Sequence, residues 1–144
     1  MPPEEHYRKL ERMYSSAPTN RYYAPTLQIS QGQAVVTILA DPKHFHPAGA
    51  VHGAVYFKAL DDSAFFAVSS LVEDVFVLTV SFTVYLTRPI SSGEMKAIGR
   101  VVHTSRRLYL AESELLDAEG VQIARGNGAF MCSNIPLGPE IGYE

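Results

Sequence analysis

Residues 46–71 read HPAGAVHGAVYFKALDDSAFFAVSSL, which is a glycine-bearing loop followed by a long apolar segment. Almost every residue from 54 to 68 is apolar or small, and a helix that is apolar on all sides lies in a protein core or in a membrane. Lys58, Asp61 and Asp62 interrupt the run, and charges are costly at bilayer depth. The segment therefore predicts a central buried helix whose two carboxylates need an explanation.

The two carboxylates differ in their expected surroundings. Asp62 follows Lys58 by four residues, so an ordinary helical ion pair accounts for it. Asp61 shares its stripe of the helix with apolar residues that include Phe57 and Phe65, and this setting disfavours its charged form. Asp61 is therefore the candidate for chemistry. The alternative is a structural carboxylate that is hydrogen-bonded to a neighbouring loop.

The spacing of His52 and Asp61 bears on how the chain is assembled. The two residues are nine positions apart. At about 100° and 1.5 Å per residue, they point to roughly opposite sides of the helix and lie about 13 Å apart along its axis. One helix cannot bring both to the same substrate, so a shared site requires a second copy of the chain. The alternative role for His52 is to cap the start of the helix.

Length and composition restrict the class of protein. The 144 residues suffice for one domain with a substantial core, and the net charge of −3 gives no electrostatic case for a nucleic-acid partner. The single cysteine, Cys132, excludes an internal disulfide framework and is typical of a reducing compartment. The charged first residues lack the apolar core of a secretory signal, and no segment has the length and apolarity of a membrane span. We therefore predict a cytoplasmic domain that binds neither nucleic acid nor a membrane.

The remaining segments predict strands arranged around the central helix. An amphipathic helix is expected near the N-terminus, followed by a connection over residues 15–25. Strands are predicted over residues 26–30, 34–39, 76–86, 95–104, 108–116 and 121–131. The clearest is 76–86, in which every even residue is apolar, as in a strand with one face on the core. This order predicts an α+β domain in which a curved antiparallel sheet wraps a long helix. We assign residues 1–24 to the N-terminal helix and connection, 25–134 to the domain and 135–144 to a tail.

The same residues resemble the signature of the hotdog-fold acyl-CoA thioesterases, in particular the branch that includes phenylacetate-pathway enzymes. That signature is Gly-x-x-His-Gly-Gly, followed by an Asp nine residues after the His. Residues 49–54 of this chain read GAVHGA, and Asp61 occupies the ninth position. Arg88-Pro89, Gly93 and the segment 117–120 follow in the family's order. The resemblance covers residues 35–133 and implies the hotdog fold.

The resemblance implies a homodimer or a dimer of dimers that hydrolyses an acyl-CoA or related thioester without a metal or redox cofactor. Each active site would lie at a subunit interface. It assigns to Asp61 the role of general base or nucleophile on one subunit. His52 and the Gly53 N–H of the other subunit would polarise the thioester carbonyl, as an oxyanion hole does. Thr79 occupies a position that the family can use to hold the attacking water.

Two departures from the family's pattern concern the loop before the helix. Ala54 replaces the second glycine and leaves the Gly53 N–H available. His46 stands where the branch usually has an asparagine that positions substrate or water, and a neutral histidine can also donate a hydrogen bond. We therefore include His46 among the substrate-binding residues. Three arginines are candidates to bind the phosphates of coenzyme A, because guanidinium binds phosphate bidentately: Arg88, Arg106 and Arg107.

Three other interpretations are open. The segment 44–47, HFHP, resembles the His-Phe-Pro loop of acyl-carrier-protein dehydratases, which favours a hotdog hydratase or dehydratase. A non-catalytic acyl-CoA-binding module would keep the fold without a working base. A zinc site could draw on Asp41, His44, His46 and His52, but these residues lie in one irregular loop with no spacing that presets metal geometry. We therefore predict no metal.

Overall fold

The protein is built from a six-stranded antiparallel sheet and one long helix. A computed structural model describes residues 1–144. The helices are α1 (Pro3–Ser16), α2 (Asn20–Tyr23) and α3 (Gly53–Ser69). The strands are β1 (Thr26–Ser30), β2 (Gln33–Leu39), β3 (Val75–Leu86), β4 (Glu94–Thr104), β5 (Tyr109–Leu116) and β6 (Gln122–Pro136). Short 3₁₀ turns occupy Pro42–His44 and Pro139–Ile141. The sheet order is β1-β2-β4-β5-β6-β3, so β1 and β3 are the edge strands.

Helix α3 is the central buried helix that the sequence predicts. It packs against all six strands, so the sheet wraps around it. A Cβ added at Gly99 of β4 would overlap the backbone of Ser63, and this glycine therefore lets the strand touch the helix. The hydroxyls of Ser63 and Ser113 both donate to the Leu60 carbonyl, at 3.0 and 2.9 Å. The buried hydroxyls are thus satisfied within a close-packed core.

Strand β3 forms where the alternation predicts it, but the expectation that its even-numbered residues form the face on the core is met by Phe76, Phe82 and Val84 and not by the other three. Leu78, Val80 and Leu86 are 46%, 58% and 50% exposed, whereas Val77 from the odd set is buried. A register shift between Thr79 and Ser81 interrupts the alternation, because a bulge changes the face to which later residues point. The strand also lies at the edge of the sheet, with β6 as its one neighbour. It therefore presents apolar side chains and an unpaired backbone edge to solvent.

Both ends of the chain pack together on the C-terminal half of α3. The buried face of α1 contributes Leu10 and Met13 to an apolar cluster with Phe66 of α3, which confirms the predicted amphipathic helix. The C-terminal Tyr143 hydroxyl lies 2.7 Å from His6 Nδ1, and Arg12 Nε donates to the Glu144 carbonyl at 2.6 Å. The two termini thus form one layer over the helix. None of the helices combines the length and apolar character needed to cross a bilayer.

Two segments differ from the prediction by more than one residue, and the other strand ends agree within one residue. The predicted connection over residues 15–25 contains the short helix α2. Strand β6 continues five residues beyond the expected end at Met131, because its last residues pair with the start of β3, where Pro136 faces Val75. Such long-range pairing leaves no local pattern in the sequence. The division into residues 1–24, 25–134 and 135–144 stays a prediction.

Candidate active site

Asp61 and Thr79 meet where α3 passes beside β3. Thr79 Oγ1 donates a hydrogen bond to Asp61 Oδ1 at 2.9 Å, and Asp61 Oδ2 has no partner within the chain. Burial raises the pKa of Asp61 from 3.8 to about 6. The Thr79 hydrogen bond and Lys58 oppose this rise, while the neighbouring Asp62 adds to it. A half-buried carboxyl with a pKa near neutrality and a free oxygen is suited to general base catalysis.

The neighbouring Asp62 has a different environment. Its Oδ2 accepts hydrogen bonds from Lys58 Nζ at 2.7 Å and from the Tyr14 hydroxyl at 2.6 Å. Burial, and next the Asp62 carboxylate, raise the pKa of Tyr14 above its ordinary value, so the phenol stays protonated and donates. The predicted pair of Lys58 with Asp62 is present. Asp62 is therefore held in a structural network, whereas Asp61 keeps an unpaired oxygen.

Asp61 and Thr79 line a cavity of about 660 Å³. Its volume lies in the range typical of small-molecule sites. Most of the apolar lining comes from α3, β3 and the terminal segments: Met13, Phe65, Phe66, Phe76, Leu78 and Ile141. The cavity therefore offers an apolar chamber with the Asp61 carboxyl in its wall.

A second group of predicted residues lies at the other end of α3 and β3. His46, Gly53 and Arg88 line a separate cavity of about 320 Å³. A Cβ at Gly53 would come within 2.7 Å of Leu86 Cδ1, so glycine keeps the start of α3 close to the end of β3. The Gly53 N–H is among the donors that a helix N-terminus leaves without an intrahelical partner.

The loop histidines are used by the backbone around them. His52 caps α3, because its Nδ1 accepts the Ala54 N–H at 2.8 Å. His46 Nδ1 accepts the Ala48 N–H at 3.1 Å. Because Nδ1 accepts in each ring, Nε2 carries the hydrogen and is left as a donor. His44 is 4% exposed and lies against the tyrosine rings of α2, so it faces neither cavity.

Within one chain the predicted site residues form two groups. Asp61 and Thr79 line the larger cavity, whereas His46, Gly53 and Arg88 line the smaller one. His52 is exposed and lines neither cavity. The other two arginine candidates, Arg106 and Arg107, lie exposed in the turn between β4 and β5 and line neither cavity. Tyr14 is the residue that sequence reasoning missed. Its helical periodicity placed it on a buried face, but no local pattern identified its partner.

Comparison with known proteins agrees with this fold. The family model described as the thioesterase superfamily matches residues 48–124. The structure resembles the PaaI protein of Escherichia coli, from the phenylacetic acid degradation operon, with a TM-score of 0.84 and 16% identity over 92% of this chain and 96% of that one. A thioesterase of Haemophilus influenzae gives a TM-score of 0.78 and 16% identity over 86% and 88% of the two chains. These likenesses confirm the predicted hotdog fold.

One sequence relative matches part of this chain. A protein of Sulfurisphaera tokodaii, described as a candidate esterase, is 32% identical over 83 residues, which are 57% of this chain. The chain spans 61% of the length of that relative. The family match, however, covers more than half of the present chain and includes the motif around Asp61. The chain therefore belongs to the thioesterase superfamily.

Proposed function

We propose that this protein hydrolyses an acyl-CoA or related thioester, with Asp61 as the base, at sites shared between two subunits. The observation that carries the proposal is the half-buried Asp61 carboxyl, which accepts a hydrogen bond from Thr79 in the wall of an apolar cavity. Its pKa of about 6 suits a base that works near neutral pH. Membership of the thioesterase superfamily supports hydrolysis as the reaction class.

The free edge of β3 supports a shared site. Thr79 and Leu86 are seven residues apart on this strand, which corresponds to about 23 Å. A two-fold pairing of β3 with the β3 of a second chain would continue the sheet and cover the exposed apolar side chains. Antiparallel pairing sets the Leu86 end of one strand beside the Thr79 end of the other. The helix N-terminus at Gly53 would thereby approach Asp61 of the partner.

In this arrangement a water molecule lies against Asp61 Oδ2. Asp61 removes a proton from the water while the water oxygen attacks the thioester carbonyl carbon. The carbonyl oxygen thereby becomes an oxyanion. The partner's Gly53 N–H and the positive end of the helix dipole stabilise that charge. His52 Nε2–H can donate to the same oxygen. Collapse of the intermediate breaks the carbon–sulfur bond, and the thiolate leaves and takes up a proton. Alternatively, Asp61 attacks the carbonyl carbon directly and the thiolate leaves, which gives a mixed anhydride that water then hydrolyses.

The remaining predicted residues have proposed roles on the coenzyme side. His46 Nε2–H can donate to the substrate in place of the usual asparagine, because Ala48 occupies its Nδ1. Arg88 lines the smaller cavity and is the first candidate for a coenzyme A phosphate. Arg106 and Arg107 stay candidates because the hairpin turn exposes them. The exposed thiol of Cys132 supports a cytoplasmic location.

The hydratase alternative has less support. The histidine of its motif, His44, is buried, and its Nδ1 lies near the Asp41 N–H at 3.3 Å. His44 lines neither cavity and so has no route to a substrate in this conformation. Thioester cleavage releases a free thiol, whereas hydration changes an enoyl absorbance and leaves the thioester intact. The two activities are therefore separated by one thiol assay.

A subunit-mixing experiment tests the shared site. Asp61→Asn and His52→Ala chains are each expected to be inactive alone. In a mixed dimer one site regains both residues, so a statistical mixture should recover roughly a quarter of wild-type activity. Exchange is verified with differently tagged chains by native mass spectrometry. No recovery despite complete exchange would contradict the interface site.

A further inference from the structure

We propose that the two ends of the chain form the closing wall of the acyl pocket and thereby set the size of the acyl group. This wall consists of residues 17–20, which join α1 to α2 and include the first residue of α2, and residues 140–142, at the end of the C-terminal turn. The inference rests on the proposed function, because it takes the cavity beside Asp61 as the acyl pocket. It goes further in assigning acyl selectivity to segments outside the helix and strand that carry the chemistry.

The cavity extends from Asp61 towards the C-terminal half of α3 and the start of β3. Its lining continues from Asp61 along α3 to Phe65, one turn towards the helix C-terminus. On β3 it continues from Thr79 towards the start of the strand, to Phe76. The rings of Phe65 and Phe76 are in contact, with centroids 5.4 Å apart. An acyl chain whose carbonyl lies at Asp61 would therefore run towards these rings.

Residues of both termini line this cavity. The connection after α1 contributes Ala17, Pro18 and Thr19, and the C-terminal turn contributes Glu140 and Ile141. β3 is the one strand that contributes to the lining, so the size of the cavity depends on where these two segments lie. A change of side chain in the wall therefore changes the space available to the end of the acyl group.

Specific contacts hold the wall in place. The Tyr14 hydroxyl donates to Asp62 on α3, and Asn20 Nδ2 donates to the Tyr14 carbonyl at 2.7 Å. On the other side, Tyr143 lies against His6, whose Nε2 is 2.9 Å from the Ser69 carbonyl at the end of α3. Both segments are thus fixed to the helix that carries Asp61. A packed wall of this kind can discriminate between acyl groups by length, because it does not move easily to admit a longer acyl chain.

The charges in the lining indicate an uncharged acyl group. Lys58 is the one cation among the lining residues, and Asp62 already pairs with it at 2.7 Å. Glu140 adds a negative charge at the wall. An acyl group with a terminal carboxylate would meet two acidic side chains besides Asp61 and no free cation. The pocket therefore favours neutral, apolar acyl groups of limited length.

The test compares wall variants of opposite effect on the full chain. Ala17→Phe fills the cavity, Ile141→Ala enlarges it, and Ser15→Phe is a matched control on an exposed residue that does not line it. Free-thiol release is measured for straight-chain substrates from acetyl-CoA to palmitoyl-CoA. The readout is kcat/KM for each length, expressed relative to the shortest substrate that turns over. Unfolding curves verify that each variant is folded.

We expect Ala17→Phe to lower the long-to-short ratio by at least about tenfold, since a few methylenes in an apolar pocket are worth that much discrimination. Ile141→Ala should shift the optimum towards longer chains, and Ser15→Phe should follow the wild-type profile. Unchanged length profiles in folded Ala17→Phe and Ile141→Ala would overturn the inference while leaving hydrolysis intact. Absence of thiol release by the wild type itself would instead overturn the proposed function.

Discussion

Replacing Asp61 by Asn should make the protein more stable at neutral pH. The carboxyl has a pKa of about 6 in the folded protein, against 3.8 as its ordinary value. Between these values the folded state keeps a proton that the unfolded state releases, so stability falls as the pH rises through this window. A rise of about two pKa units corresponds to about 3 kcal/mol in the free energy of unfolding, and the wild type has lost this amount at pH 7. The Asn side chain does not titrate, so the Asp61→Asn variant does not lose this stability as the pH rises.

The assay is urea unfolding of wild type and Asp61→Asn at one protein concentration, because the stability of an oligomer depends on concentration. The variant should match the wild type near pH 4 and exceed it by about 3 kcal/mol at pH 7. Asp62→Asn is the control. It removes the acceptor shared by Tyr14 and Lys58 and should lower stability at pH 7 by about 2 kcal/mol. A difference between Asp61→Asn and wild type that does not vary with pH would refute the assignment of a raised pKa.

Three further predictions follow from the same contacts. The kcat/KM of the wild type should rise with pH around a midpoint near 6. Thr79→Val should move that midpoint upwards, because the Thr79 hydrogen bond holds the pKa of Asp61 down. A midpoint that does not move would count against this hydrogen bond. Gly53→Ala should retain wild-type stability, since the exposed Leu86 side chain can move aside. Thiol release should fall at least about tenfold, because the added methyl crowds the approach of a thioester carbonyl to the N–H of residue 53; equal activity would contradict close approach of the carbonyl to this N–H. Gly99→Ala should lower the free energy of unfolding by about 3 kcal/mol, because its Cβ overlaps the backbone of α3; a urea midpoint like that of the wild type would contradict this packing.

The parts of the fold that depend on local pattern could be predicted from the sequence. The apolar run after Gly53 indicated a helix that must be buried, and the alternation up to Leu86 indicated a long strand. The contrast between the two carboxylates was also predictable, since the i, i+4 spacing pairs Lys58 with Asp62 and leaves Asp61 among apolar residues. These features need no information beyond one element's own periodicity.

The contacts between distant segments could not be predicted in this way. The hydrogen bond from Tyr14 to Asp62 spans 48 positions, and the cavity wall joins residues from both ends of the chain. Nothing in either segment specifies where the other lies. The exposed side chains of β3 depend on a bulge and on the strand's place at the sheet edge, both of which follow from pairing with β6. The sequence therefore indicates which residues carry the chemistry, and tertiary packing determines the shape of the chamber beside them.

The most direct test of the proposed activity is free-thiol release from a panel of aliphatic and aromatic acyl-CoAs, with wild type measured beside Asp61→Asn and Asp62→Asn. We expect release by the wild type, loss of most of it in Asp61→Asn with fold and oligomeric state retained, and a much smaller effect in Asp62→Asn. Release that persists in Asp61→Asn, or equal losses at both positions, would contradict the assignment of Asp61 as the base.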